Sequence, residues 1–482
     1  MGKVGLSGKY QTYPEYKDSG VEWIGEIPTD WDMWKITHAC PYVASGTTPK
    51  TDGGNYYDGT NLWVTTGELR EGVILDTTKK VTDKALYDLP TLRIHPKGSV
   101  VIAMYGATIG RLGILGNNAT TNQACCVMPP SDIINNKYLF YWLYSTRQEI
   151  INLSSGGGQP NVNQEKISSL KVSAPTYKYQ VEIANFLDYE TAKIATLIEK
   201  QQQLIKLLKE KRQAVISHAV TKGINPNAPM RDSGVEWLGE VPEHWDIVPI
   251  KHISKIRYGI GEPPKYQEEG IPLIRATNIR SGKISEVGLV LVNPDHIPEN
   301  RIVWLDKGDI IVVRSGAGTG DSSIISHFYE GSIAGFDMVV RPIKCLPEFL
   351  GYALLSNYIR NNQIDLEKTR AAQPHLNAEE LGECFALMPT NQEQRLIVTH
   401  IERKILKLDV LIVKAEKVIT LMQERRTALI SAAVTGKIDV RDWVAPESSS
   451  NTMESCLRGN DAELNAAVDL NTEADLSKEA GL

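Results

Sequence analysis

What this chain lacks narrows its chemistry before anything it contains is weighed. Its six cysteines, Cys40, Cys125, Cys126, Cys345, Cys384 and Cys456, form no Cys-x-x-Cys pair. A tetrahedral zinc site usually needs that spacing, so no structural zinc is expected. Scattered thiols of this kind behave as small apolar residues of a reducing compartment. The nine histidines form no metal-spaced cluster. No run of about 20 apolar residues exists, so nothing should span a membrane. Met1-Gly-Lys-Val-Gly-Leu-Ser7 lacks the apolar core of a secretory signal, which leaves the cytoplasm as the expected location.

Catalytic signatures are missing too. An amino-methyltransferase would carry an Asn/Asp-Pro-Pro-aromatic loop. The chain has Met128-Pro-Pro-Ser131 and Glu262-Pro-Pro-Lys265, and neither fits. Gly316-Ala-Gly-Thr-Gly320 is not followed by Lys-Ser/Thr, so it is no phosphate-cradling loop. The matching run Gly106-Ala-Thr-Ile-Gly110 keeps only the outer glycines, and a shared Gly-x-x-x-Gly after a strand reads as a tight turn. No catalytic residue, metal ligand or cofactor is expected on this chain.

An excess of positive charge is also absent. The 482 residues hold 52 bases and 58 acids, for a net charge of −6. The deficit is local. Residues 444–482 carry eight acids against two bases and no aromatic residue, and read as a disordered or weakly helical tail. The rest of the chain is balanced, and a balanced body can still present basic faces. At 42% hydrophobic and 23% charged it has an ordinary globular composition, long enough for two or three domains.

What the chain does contain is itself, twice. Asp18-Ser-Gly-Val-Glu-Trp-Ile-Gly-Glu-Ile-Pro-Thr-Asp-Trp-Asp32 returns as Asp232-Ser-Gly-Val-Glu-Trp-Leu-Gly-Glu-Val-Pro-Glu-His-Trp-Asp246, identical at eleven of fifteen positions. Gln159-Pro-Asn-Val-Asn163 returns as Gln373-Pro-His-Leu-Asn377, and Lys211–Thr221 returns as Arg425–Thr435. Between these islands the halves diverge. Like segments should meet two identical partners, and unlike segments two different ones.

Each copy reads as a mixed globular part followed by a long helix. Ser99–Tyr105 and Asp309–Ser315 are strand-like, and helical stretches are expected near 137–151 and 348–361. Leu187, Thr191, Ile194, Ile198, Gln201, Ile205, Leu208, Arg212 and Val215 alternate by four and three. Ile401, Ile405, Leu408, Ile412, Ala415, Ile419, Met422, Arg426 and Leu429 do the same. Such a seam argues a coiled coil. If the two seams pair, the helices run antiparallel with one globular part at each end, like a two-fold ring cut at one point. The expected class is α+β, pseudo-two-fold symmetric. Its divisions are 1–177, 178–222 (helix), 223–388, 389–440 (helix) and 441–482 (tail).

The divergent parts carry side chains suited to base edges and phosphates. In the first copy these are Lys50, Arg70, Lys79, Lys80, Arg93, Arg111 and Gln123. In the second they are Lys265, Arg275, Asn278, Arg280, Arg314 and Arg370. Trp23, Trp31, Trp237 and Trp245 fall in the like segments, where core packing or partner docking suits them better than base stacking. The two Gln–Asn loops could reach a phosphate or cap the following helix.

Taken together, the paired openings, the Gln-Pro-x-x-Asn loops and the helices ending Arg-x-Ala-(Val/Leu)-Ile-Ser-x-Ala-Val-Thr resemble the specificity subunit of type I restriction–modification systems. The resemblance covers residues from about 10 to 443. It implies two target-recognition domains, each reading half of a split double-stranded DNA site, with the helices as a spacer. It implies docking of two modification subunits and of restriction subunits. Those partners would hold S-adenosylmethionine, ATP and Mg. The competing reading is a coiled-coil scaffold holding two protein-binding domains, which leaves the divergent Arg/Asn/Gln loops unexplained.

Overall fold

The computed structural model describes residues 10–51, 55–154, 161–235, 238–365 and 375–445. The chain divides into two compact units, Met1–Ile198 with Thr420–Leu482, and Glu199–Ile419. Both boundaries fall inside long helices, Tyr177–Lys222 and Asn391–Val434. The acidic tail from residue 446 lies outside the described residues.

The first unit opens with an antiparallel hairpin, Tyr16–Asp18 against Glu26–Pro28. Asp32–Lys35 then pairs with the distant strand Lys171–Ala174. The main sheet runs in the order 44–45, 125–128, 100–103, 112–115, 72–74. Its central strands, Val100–Ala103 and Cys125–Met128, are buried at every position, as a strand covered on both faces must be. A second small sheet places Tyr57–Val64 parallel to Thr120–Thr121. Helix Asn136–Ser145 lays Tyr138, Leu139 and Trp142 into the core.

The second unit is built from the same kinds of pairing. Met230–Asp232 forms a hairpin with Glu240–Pro242, and Asp246–Pro249 pairs with Phe385–Met388. One sheet runs 254–258, 338–342, 310–312, 322–324, and another places Ile271–Ile274 parallel to Ile333–Ala334. Helix Pro347–Leu355 covers the core. The strands are shorter than their apolar runs suggested, Val100–Ala103 and Ile310–Val312. The chain turns where Gly106, Gly110, Gly316 and Gly320 adopt left-handed φ of 68 to 86°.

Along both long helices the residues at four–three spacing are buried or half-buried, and in the middle of each helix most of their neighbours are exposed; towards the ends Phe186, Glu190, Ile216 and Ile430 are buried beside them. Within the second unit, Leu204, Ile205 and Leu208 pack with Leu408 and Ile412. Among the described residues no helix is long and apolar enough to cross a membrane.

Candidate nucleic-acid interface

The like segments build scaffold. Trp31 and Trp245 are completely buried. Trp31 meets Tyr13 and Tyr138 edge-on at 5.8 and 6.4 Å. Each indole also closes on the glycine that ends a long helix in its own unit. A Cβ on Gly436 would lie 2.3 Å from Pro28 and 3.5 Å from Trp31, and one on Gly223 would lie 3.3 Å from Trp245. Both glycines have left-handed φ, 71 and 75°. The Tyr16 hydroxyl donates to the Gly436 carbonyl at 3.0 Å. Hence Trp31 and Trp245 serve the core and cannot dock a partner, because the indoles fill the space between hairpin and helix end. Trp23 is 38% exposed and stacks obliquely on Trp142 at 5.7 Å. Trp237 lies outside the described residues.

The Gln–Asn loops resolve in part. The Asn163 side chain accepts from Lys166 N at 2.9 Å and caps helix Gln164–Ser169. Asn377 accepts from Glu380 N at 2.8 Å while Glu380 accepts from Asn377 N, a reciprocal cap for Ala378–Glu383. Gln159 and Gln373 lie outside the described residues.

In the first unit the candidate cations gather at three places. Lys50 and Lys79 flank Tyr57: the Tyr57 hydroxyl donates to the Pro49 carbonyl at 2.7 Å, and Lys79 Nζ sits 5.9 Å from the ring centroid. Lys80, next along, is tied to Asp76 at 3.0 Å. Arg70 and Arg111 precede two parallel strands whose register sets Gly72 opposite Gly113, so both lie at one end of that pair. Both are exposed, as is Gln123 in the turn before Cys125. Arg93 lies over Tyr42 at 4.9 Å, and the Tyr42 hydroxyl meets His95 Nδ1 at 3.1 Å. Burial, with Arg93 adding to it, drops the His95 imidazole to about 4, so it is neutral at physiological pH.

In the second unit the candidates differ sharply from one another. Asn278 is buried and spent internally. Its Oδ1 accepts from Arg275 N at 3.2 Å and its Nδ2 donates to the Ser285 carbonyl at 3.0 Å. It offers no group to a base, because leaving those backbone atoms unpaired would cost more than a surface contact returns. Arg275 spends its guanidinium on the Tyr266 hydroxyl at 3.2 Å and the Gly288 carbonyl at 2.8 Å. Lys265 and Arg280 are exposed, and their side chains make no hydrogen bond or ion pair among the described residues. Arg314 is half-buried over two aromatic rings, Tyr258 at 4.5 Å and Phe336 at 4.2 Å. Arg370 lies outside the described residues.

Several residues at these sites were missed in the sequence. Gln180 and Gln394 are buried at matching places. Each donates to a proline carbonyl (Pro175 or Pro389, both 2.9 Å) and accepts from a loop N–H (Asn135 at 2.7 Å, Leu346 at 2.8 Å). Their offset of 214 was the available clue. Asp309 is 2% exposed and holds Arg341 in a fork, at 2.7 and 2.6 Å, which raises the arginine further. Burial raises the Asp337 carboxyl, whose Oδ1 accepts from Arg314 N at 3.2 Å. Burial pushes the Cys40, Cys126 and Cys345 thiols up to about 12, which keeps these three protonated at physiological pH. Among the described residues no three His, Cys, Asp or Glu side chains gather as a metal set.

Comparison with known proteins agrees with this layout. A family model for the type I restriction modification DNA specificity domain matches residues 28–207. The type I restriction enzyme MjaIX specificity subunit of Methanocaldococcus jannaschii is 23% identical over 448 residues, covering 90% of this chain and 99% of that protein. The EcoKI specificity subunit of Escherichia coli K12 is 21% identical over 440 residues, 87% of this chain and 92% of its own length. Among solved structures, a chain from a study of assembly and conformational transition in a type I R-M system superposes with a TM-score of 0.65. It is 14% identical and covers 85% of this chain and 98% of its own. The HsdS subunit of Thermoanaerobacter tengcongensis gives 0.50 at 14% identity, covering 86% and 98%. Residues 28–207 thus match the type I restriction modification DNA specificity domain, and along nearly its whole length the chain is similar to specificity subunits of type I restriction–modification systems, whose fold it shares.

Proposed function

We propose that this chain reads a split, asymmetric site on double-stranded DNA, one globular part to each half. One observation carries the reading: matched backbone holds unlike surfaces. The Met104 carbonyl accepts from Val162 N at 3.0 Å, and the Arg314 carbonyl accepts from Leu376 N at 2.8 Å. The same bond therefore supports a buried methionine in one unit and a half-buried arginine, lying over two exposed rings, in the other. Two copies of a scaffold that differ at the exposed positions suit two different half-sites better than two copies of one partner.

In this reading residues 1–177 and 223–388 are the two target-recognition domains. The segments 178–222 and 389–440 pair as an antiparallel coiled coil around a pseudo-two-fold. Helices of 46 and 44 residues, at ~1.5 Å per residue, give a spacer on the order of 65–70 Å long. The buried four–three seam and the packing of Leu208 with Leu408 and Ile412 support that pairing. The chain performs no chemistry of its own. Two modification subunits dock on the like segments and use S-adenosylmethionine, while restriction subunits use ATP and Mg.

The test is an exchange. Residues 35–175 are replaced by the equivalent region of a relative, and the methylated motif is read from cells carrying the whole system. One half of the motif should change and the other should persist. A change in both halves, or in neither, overturns the modular reading.

A further inference from the structure

We infer that Arg314 is the guanine-reading side chain of the second globular part, held ready by an aromatic clamp. This rests on the proposed DNA-reading function and sharpens it to one residue and one base.

The clamp is built from three directions. Its backbone is pinned on both sides, N–H to Asp337 Oδ1 at 3.2 Å and C=O from Leu376 N at 2.8 Å. The guanidinium lies over Tyr258 and Phe336, with centroids 4.5 and 4.2 Å away. Tyr258 is itself fixed, its hydroxyl accepting from Ala378 N at 2.8 Å. Both rings are open to solvent, 42% and 45% exposed, so the clamp sits at the surface and not in the core. Contacts of this kind cost two large apolar rings their burial. A soluble domain gains little from that unless the cation they hold has a use.

Among the described residues the hydrogen-bonding capacity of the guanidinium is largely unspent. Its Nε is buried without a hydrogen-bond partner among the described residues. One terminal nitrogen has a long contact, 3.4 Å to His375 Nε2. At that length the bond is weak and easily exchanged. Arg275, by contrast, has both terminal nitrogens engaged, and Asn278 is buried. Lys265 and Arg280 are exposed but held by nothing that fixes a direction. Arg314 thus alone combines a fixed plane with free donors among the described candidates of this unit. A planar fork with free donors matches the O6 and N7 acceptors of guanine in the major groove. A phosphate would need only a point charge, which an unclamped lysine supplies.

The experiment uses the full chain assembled with its modification subunits, selecting from duplexes randomised across both half-sites. Wild type should enrich a site with an invariant guanine in the half read by the second part. Arg314→Lys keeps the charge and loses the fork. It should lose discrimination at that single position by roughly 5- to 150-fold, with the other half unchanged. Phe336→Leu keeps the arginine and loosens its clamp, and should weaken the same position by less. A wild-type site that both variants still select unaltered overturns the Arg314 assignment alone. So does a loss that falls equally on every duplex, the mark of a phosphate contact. If wild type enriches no sequence, the DNA-reading function falls and this assignment with it.

Discussion

At one point in the fold the two units can be compared atom for atom. Met104 and Arg314 each follow a buried central strand, each precede a glycine-bounded turn, and each accept one backbone bond from the segment that returns beside them. Met104 is 1% exposed and belongs to the core of its unit. Arg314 faces outward over two aromatic rings. The backbone is conserved between the units by hydrogen bonds that any residue can make, so the side chain at that point is free to change. Elsewhere that freedom is absent. Trp31 and Trp245 fill equivalent spaces beside the helix-ending glycines, where a Cβ on Gly436 would run into Pro28 at 2.3 Å and one on Gly223 would press on Trp245 at 3.3 Å. The packed indoles stay alike in both units, whereas the position after the central strand turns inward as Met104 in one and lies over exposed rings as Arg314 in the other.

That contrast can be broken most severely in the packed part. Trp31→Ala and Trp245→Ala should each cost about 3–5 kcal/mol, from the lost transfer energy and the cavity left behind. Hydrogen exchange should place each loss in the unit that holds the residue. Denaturant midpoints that barely move for one of the pair would show that the two cores are not equivalent.

The helix-ending glycines should differ from each other. Gly223→Ala and Gly436→Ala both place a side chain at left-handed φ, a strain of roughly 1–2 kcal/mol. Gly436→Ala adds a Cβ 2.3 Å from Pro28, a ring that cannot swing away, whereas Gly223→Ala meets Trp245 at 3.3 Å. Thermal unfolding should therefore rank Gly436→Ala as the more damaging. Equal losses would mean that the first unit relaxes where its geometry says it cannot.

Acid should separate the units next. His95 is the buried histidine among the described residues, and it belongs to the first unit. Its pKa in the folded state is lowered to about 4 from 6.5. Between those values the unfolded chain binds a proton that the folded one refuses, so stability falls as pH drops from about 6.5 and levels off below about 4. The loss approaches about 3 kcal/mol at ~1.4 kcal/mol per pH unit. Urea titrations across that range should show the first unit loosening first, and His95→Phe should flatten the slope. An unchanged slope in the variant would place the proton elsewhere.

The smallest effects belong to the exposed lysines. Lys50→Ala and Lys265→Ala should each weaken binding to every duplex alike, and each should lower the salt slope by about one. A change in preferred sequence would promote either lysine from charge to reader.

Much of this protein was legible before any fold was known. The repeated openings, the four–three seams and the turn glycines are local patterns, fixed by spacing along one element. They located the long helices and the glycine turns, whereas the hairpins at the repeated openings appeared only in the fold. The Asn163 and Asn377 caps were among the readings the sequence held open, because a cap needs only the next three residues. The candidate site was less legible. Asn278 looked like a base reader and is a buried brace, and Trp31, read as either core packing or partner docking, is core. Nothing in the order of residues distinguished Arg314 from Arg275. The sequence by itself determined that several segments of the chain occur twice and that its long helices carry an apolar seam. Only the tertiary structure decided which cation is clamped and free. The partners of Arg314 come from Tyr258, Phe336 and His375, the last 61 residues away, and proximity across such separations is set by strand pairing, which side-chain identity alone does not encode.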